Sequence, residues 1–196
     1  MCLFPKVCYF YKSTENQLLK KLIAIFTLVL FIAGTAFAPA NQGPKVDTNA
    51  KIKAVFIYNF TKYIEWPQDY QAGDFTIAIL GENQSLFNEL SNMSKVKKVA
   101  NRPFTIKTIN SPSEIGSAHI VYIPTDNSAS FSKALSSLKG KSALVVTESP
   151  GLAEKGAAIN FTIMGGRQKF ELNKSTALQN NLKVSSTLEN IAVLVN

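Results

Sequence analysis

From Asp74 to Val146 the chain repeats one pattern: a short run of aliphatic and β-branched residues, a turn signal, then helical spacing. Asp74-Phe75-Thr76-Ile77-Ala78-Ile79-Leu80 stops at Gly81, and Ser85–Met93 follows with helical periodicity. Phe104–Ile109 alternates as a half-exposed strand does, and His119–Ile123 stops at Pro124 ahead of a helical stretch over Ala129–Leu138. Ala143-Leu144-Val145-Val146 is apolar throughout, the mark of a strand covered on both faces. Strands alternating with helices restrict the fold to a three-layer α/β architecture, with a largely parallel sheet flanked by helices. An antiparallel hairpin closes the sheet: Ala158–Ile163 and Gln168–Leu172 flank Gly165-Gly166, a pair suited to the positive φ angles of a tight turn.

Before this core lies an amphipathic segment, Asn49–Glu65. Helical spacing puts Ile52, Phe56, Phe60, Tyr63 and Ile64 on one face, with Lys51, Tyr58, Lys62 and Glu65 opposite. Asp47 or Thr48 caps its start and Pro67 ends it. After the hairpin the sequence predicts two short helices. Asn173 caps the first, and Ser186 with Glu189 forms a capping box before Leu188, Ile191, Ala192 and Leu194.

The N-terminal region reads as a targeting segment. Lys20-Lys21 precede an apolar run from Leu22 to Ala33, and the small-residue stretch Ala36-Phe37-Ala38-Pro39-Ala40 follows. That order predicts a secretory signal peptide over residues 1–40, cleaved after Ala40, a linker over 41–48 and one domain over 49–196. The long stretch before Lys20 suggests that translation starts nearer Leu18 or Leu19. It also holds both cysteines, Cys2 and Cys8, so the exported part has neither a disulfide nor a lipidated cysteine. Removing residues 1–40 takes away four lysines and Glu15, leaving 17 basic against 12 acidic side chains. Outside the membrane this excess favours an acidic partner or anionic surface over nucleic acid. Lys95-Val96-Lys97-Lys98, its densest cluster, lacks the interleaved aromatics of a nucleic-acid site.

Chemistry is sparse. The single histidine, His119, has no acidic neighbour in sequence, which argues against a catalytic triad and for a structural role. No His/Cys metal set can be assembled, and no cofactor motif is present. Ser-x-x-Lys recurs at Ser94/Lys97, Ser130/Lys133 and Ser136/Lys139 without the further motifs of penicillin-recognising enzymes. The remaining small-molecule candidate is the rim beyond the C-terminal strand ends, where open α/β sheets bind ligands. Here that rim comprises Gly81, Glu82, Asn83, Thr125, Asp126, Thr147 and Glu148.

The stretch Lys53-Ala54-Val55-Phe56-Ile57-Tyr58-Asn59-Phe60-Thr61-Lys62-Tyr63-Ile64-Glu65-Trp66-Pro67 resembles the opening signature of the YfiR-like family, close to K-A-x-F-[IL]-Y-N-F-x-K-[FY]-[IV]-x-W-P. Gly156–Phe161, Lys169–Asn173 and Leu182–Ser186 agree with later family stretches in order. The resemblance implies a periplasmic repressor, not an enzyme. It binds the periplasmic domain of an inner-membrane diguanylate cyclase or sensor histidine kinase and holds it inactive. Release from such a cyclase raises cyclic di-GMP and favours biofilm formation. Members often carry a cysteine directly before the histidine of the third strand; here Ala118 stands there, so disulfide control is not expected.

Tyr58, Lys62, Glu65 and Trp66 are the partner-binding candidates, since Tyr and Trp are common interface anchors. A homodimer is a further assembly to test. The alternative reading is a periplasmic small-molecule-binding sensor module, which needs a formed pocket at the strand-end rim.

Overall fold

The computed structural model describes residues 47–196; the expected leader and both cysteines lie outside the described residues. Helix α1 spans Thr48–Tyr63. The Asp47 carboxylate caps it, accepting from Asn49 N and Ala50 N, each at 3.1 Å. Its buried stripe is Ala50, Ala54, Ile57 and Phe60. Of the expected stripe Phe60 is buried here and Ile64 is buried just past the helix, while the two small alanines take buried positions that larger side chains were expected to fill. Ile52, Phe56 and Tyr63 consequently sit half-buried at the margins. The helix also stops earlier than expected. Ile64–Glu65 is extended as β1, pairing antiparallel with β8, Lys183–Val184.

The main chain then builds β2 (Phe75–Leu80), α2 (Gln84–Ser94), β3 (Phe104–Ile109), β4 (Ile120–Ile123), α3 (Phe131–Ser137) and β5 (Leu144–Thr147). The hairpin of β6 (Ile159–Met164) and β7 (Arg167–Asn173) follows, then α4 (Lys174–Gln179), β8, α5 (Ser186–Glu189) and β9 (Val193–Val195). Seven strands form one sheet in the order β3-β2-β4-β5-β6-β7-β9. Neighbours from β3 to β6 run parallel, β6 and β7 antiparallel, and β7 and β9 parallel. Chain order reverses at β2, which has β3 on one side and β4 on the other, placing a topological switch point between β2 and β4.

Alternate residues of the central strands feed two cores. Ile77, Ile79, Ile120, Tyr122, Leu144 and Val146 face α1 and α2, meeting Ile57, Phe60, Leu86 and Leu90. Ala78, Leu80, Val121, Ile123 and Val145 face α3, meeting Phe131, Ala134 and Leu138. This is the three-layer α/β fold expected from the strand–helix alternation.

The C-terminal segment departs from expectation in two details. Ser185, not Ser186, is the N-cap, its hydroxyl accepting from Leu188 N at 3.4 Å. The one-turn α5 ends at Glu189, and Val193–Val195 becomes an edge strand instead of helix. A three-residue strand is too short to show alternation, so the periodicity around Leu188 was the stronger signal.

Candidate functional site

Helix α1 connects the two ends of the sheet, with Lys53 over the C-terminal strand ends and Tyr63 leading to the N-terminal ends. At the C-terminal ends Glu148 emerges directly after β5. Its Oε1 accepts the Thr125 N–H at 3.1 Å, and its Oε2 is ion-paired with Lys53 Nζ. Only 13% of the Glu148 side chain and 19% of the Lys53 side chain are exposed. Burial acts to raise the Glu148 pKa, but the Lys53 ammonium and the Thr125 N–H outweigh it and hold the carboxyl below its ordinary value. The fully buried Tyr122 hydroxyl lies beside this carboxylate and feels its charge, without forming a hydrogen bond of good geometry. Burial and that neighbouring charge push its phenol far up, so Tyr122 stays neutral.

Beside this pair, buried Thr147 Oγ1 donates to Asn160 Oδ1 at 2.7 Å, and Asn160 Nδ2 donates to Glu171 Oε2 at 2.8 Å. A groove of about 390 Å³ opens here, lined by Lys53, Glu148, Asn160, Phe161, Ile163 and Glu171 among others. Of the seven rim candidates, Glu148 alone lines it. Asn83 is occupied as the α2 cap, accepting from Leu86 N at 3.1 Å. Glu82, Thr125 and Asp126 are exposed. Gly81 (φ +90°) lies so close to Asn127 that a Cβ there would sit 1.6 Å from Asn127 Nδ2. The Asn127 side chain thus fills the space beside Gly81, near the switch point where a ligand was expected.

At the N-terminal strand ends His119 is satisfied by backbone. Its Nδ1 accepts from Thr76 N at 3.1 Å, which leaves Nε2 as the protonated nitrogen, donating to Tyr70 O at 2.7 Å. Its ring stacks on Phe75 with centroids 4.3 Å apart. Burial is the main cause that lowers its pKa and the Arg102 charge adds to it, while the Tyr70 hydrogen bond opposes. The imidazole is therefore neutral and has no free nitrogen for catalysis. Trp66 completes the box: its ring meets Phe75 edge-on at 5.0 Å and its indole N–H donates to His119 O at 3.3 Å.

The four partner-binding candidates separate accordingly. Trp66 is 5% exposed and belongs to the core. Tyr58 is half-buried, its ring 5.9 Å from Phe104 and its hydroxyl donating to Lys98 O at 3.1 Å. Lys62 and Glu65 are exposed; Lys62 Nζ lies 4.7 Å from the Tyr58 ring centre, and Glu65 Oε1 is 3.6 Å from Lys183 Nζ. A second groove, of about 640 Å³, runs past Glu65, Trp66, Pro67, Leu178 and Lys183. Sequence reasoning missed Lys53, Asn160 and Glu171 as site residues. All three fall inside stretches that carry the family resemblance, and that was the only signal they gave. Among the described residues no cluster of three or more His, Cys, Asp or Glu side chains is placed to hold a metal. None of the described helices is long and apolar enough to cross a membrane.

The arrangement offers ion pairing, backbone capping and groove surfaces, but no nucleophile beside a base. A domain solved in complex with L-Trp from Streptococcus pneumonia shares the fold at a TM-score of 0.51 and 13% identity. A conserved domain protein from Vibrio cholerae O1 biovar eltor shares it at a TM-score of 0.52 and 10% identity. Each alignment covers 75% of this chain and 60% of the other, so this chain spans less than two thirds of either. At those identities the likeness shows the fold alone. No curated protein matches the sequence. The sequence profile of the YfiR/HmsC-like family matches residues 50–193, most of the chain and all but the ends of the described residues, so the chain belongs to that family of periplasmic regulatory proteins.

Proposed function

We propose that this protein is exported to the periplasm by its N-terminal signal peptide. There it binds the periplasmic domain of an inner-membrane signalling protein, a diguanylate cyclase or a sensor histidine kinase, and keeps it inactive. For a cyclase partner the output is lower cyclic di-GMP and less biofilm. Family membership over residues 50–193 is the observation that carries this reading. The one histidine, saturated by Thr76 and Tyr70, supports a role in binding rather than catalysis. Repression requires tighter binding to the inactive conformation of the partner than to the active one, since equal affinity shifts nothing. A hundredfold preference corresponds to about 2.7 kcal/mol of coupling.

Lys62 and Glu65, exposed where α1 leaves for β1, are the contact residues retained from the sequence reading. The test is capture from detergent-solubilised membranes of the native host, with the exported protein as bait. One membrane cyclase or kinase should be recovered, and its activity should fall when purified bait is added. Recovery without any change of activity would overturn repression; no recovery under crosslinking would overturn the partner class.

A further inference from the structure

The β6–β7 hairpin is longer than the sheet that holds it. β5 pairs only with Ile159 and Asn160 of β6, and β9 pairs only with Glu171–Asn173 of β7. The hairpin itself stays in register out to Met164 and Arg167. Its distal part, from Phe161 to Phe170, is therefore a two-stranded arm with no strand on either flank. One face is anchored, because Phe161 and Phe170 lie 6.0 and 5.6 Å from the Phe56 ring of α1. Beyond them Ile163 is 60% and Met164 48% exposed.

The direction of the free backbone groups follows from the ladder. Asn173 N donates to Ala158 O at 2.9 Å, which makes this a hydrogen-bonded pair. Such pairs alternate in an antiparallel ladder, so Asn160, Thr162 and Met164 turn their amides and carbonyls towards β7. Phe161 and Ile163 turn theirs outward. Exposed edges recruit further strands unless proline, a bulge or charge blunts them. Between Ile159 and Met164 there is no proline and no charged side chain. Within the hairpin, positive φ angles occur at Gly165 and Gly166 of the turn and at no strand residue. The 390 Å³ groove borders this edge, bounded by Asn49 and Lys53 of α1, by Pro150, and by Thr162 and Ile163.

We propose that the outward edge of β6 receives an extended segment of the regulated membrane protein's periplasmic domain, added as a strand beside Phe161–Met164. This rests on the repressor reading above. The chemistry of the segment follows from the two faces of the arm. Ile163 shares the apolar α1 face with Phe161, whereas the opposite face carries Thr162 on β6 and, one strand further in on β7, the long exposed Arg167 and Lys169, with Glu171 of that face held by Asn160 at 2.8 Å. A strand added here meets these faces at alternate positions, so it alternates apolar with acidic residues. A second copy of this chain would add the same Arg167 and Lys169 to that cationic face, which disfavours it as the occupant.

The full-length protein carrying a photo-crosslinking residue at Ile163, or at Lys62, is expressed in the native host, and crosslinked peptides are sequenced by mass spectrometry. Ile163 should capture an apolar/acidic alternating peptide from the periplasmic domain of a membrane signalling protein. In parallel, with the photo-crosslinking residue moved to Met164, Ile163→Pro removes an outward amide that no ladder bond uses and should fold normally while losing tenfold or more of the capture that an Ile163→Ala control retains. Thr162→Pro removes an amide that serves β7 and should disrupt the hairpin itself. Capture of the signalling protein from Lys62 but not from Ile163 overturns the edge proposal and leaves the repressor reading intact. Unchanged capture by folded Ile163→Pro overturns the edge proposal as well. Capture of this chain itself at Ile163 makes the edge a self-association site, and no capture from either position sinks both readings.

Discussion

At the N-terminal ends of the parallel strands the polar group is His119, and main-chain atoms of Thr76 and Tyr70 hold it inside a box made by Trp66, Tyr70 and Phe75. At the C-terminal ends the polar group is Glu148, and a charged side chain from a different layer, Lys53 of α1, holds it beside an open groove. At the first end the polar group is neutral and saturated by backbone, and the groove that runs past Trp66 does not reach it. The second end joins helix to sheet through a charge pair whose members can be screened, titrated or competed for. A neutral group satisfied by backbone is fixed as firmly as the strands around it, which suits a structural hub. A half-buried ion pair beside a groove couples a surface event to the position of a helix, which suits a regulated protein.

The comparison breaks most readily at Trp66. Trp66→Ala removes a buried ring and one of the two hydrogen bonds to the His119 carbonyl, which keeps the Leu144 N–H at 2.8 Å, and should cost about 3–5 kcal/mol in urea unfolding. Trp66→Phe keeps the ring contact with Phe75 and should cost less than half of that. A loss below about 1 kcal/mol for the alanine variant would mean that the aromatic box is not the hub of its end.

The ion pair should show a different pattern. Lys53→Met leaves Glu148 charged and largely buried, at a cost of about 2–3 kcal/mol, somewhat below a fully buried pair because both groups touch solvent. Adding Glu148→Gln should recover most of the loss, since an unpaired charge and not a missing contact is the main penalty. Chemical denaturation of the two single variants and the double variant gives the coupling directly. If the double variant is simply additive, Lys53 and Glu148 do not act as a pair.

Acid should separate the ends by pH window. The folded-state pKa of His119 is lowered from 6.5, so above 6.5 both states are neutral and its contribution is fully present. As the pH falls below 6.5 the unfolded chain takes up the proton first, and stability declines at no more than about 1.4 kcal/mol per pH unit until the folded-state value is reached. Glu148 also has a lowered pKa, from 4.5, so its contribution persists above 4.5 and fades only as the pH drops below that towards its folded value. The stability profile should fall in two steps. His119→Gln should remove the upper step and keep the lower, and Lys53→Met should shrink the lower step alone.

How much of this was legible in the sequence depends on which physical signal each part carried. The parallel strands were readable because burial on both faces leaves an uninterrupted apolar run, as in Leu144–Val146. The hairpin was readable because Gly165-Gly166 meets a conformational need at the turn. The structural role of His119 followed from the lack of any acidic neighbour. The packing face of α1 was not readable, since Ala50 and Ala54 contribute closeness rather than bulk and a pattern of large residues overlooks them. The Lys53–Glu148 pair joins residues 95 positions apart, and only the strand order brings them together. The rim expected near the switch point follows from topology alone, whereas the filling of the space beside Gly81 by Asn127 depends on a single side-chain direction after Pro124.

The smallest expected effect sharpens the comparison by separating stability from recognition. Glu65 and Lys183 sit at the same end as the Trp66 box but on its outside, 3.6 Å apart with 63% and 77% of their side chains exposed. Exposed pairs of this kind contribute about 0–1 kcal/mol, since solvent and salt screen them and two long side chains must be ordered to meet. Lys183→Ala should therefore move the melting temperature by no more than about 4 °C in a domain of this size. Glu65→Lys places two cations together and should cost little more, because both can swing into water. If Glu65 contacts the membrane partner, the same substitution should weaken capture of that partner while the melting curve stays nearly unchanged. A melting curve displaced as far as that of Trp66→Ala would instead join Glu65 to the structural hub, and the boundary between a rigid interior and a surface free for recognition would lie further out than β1.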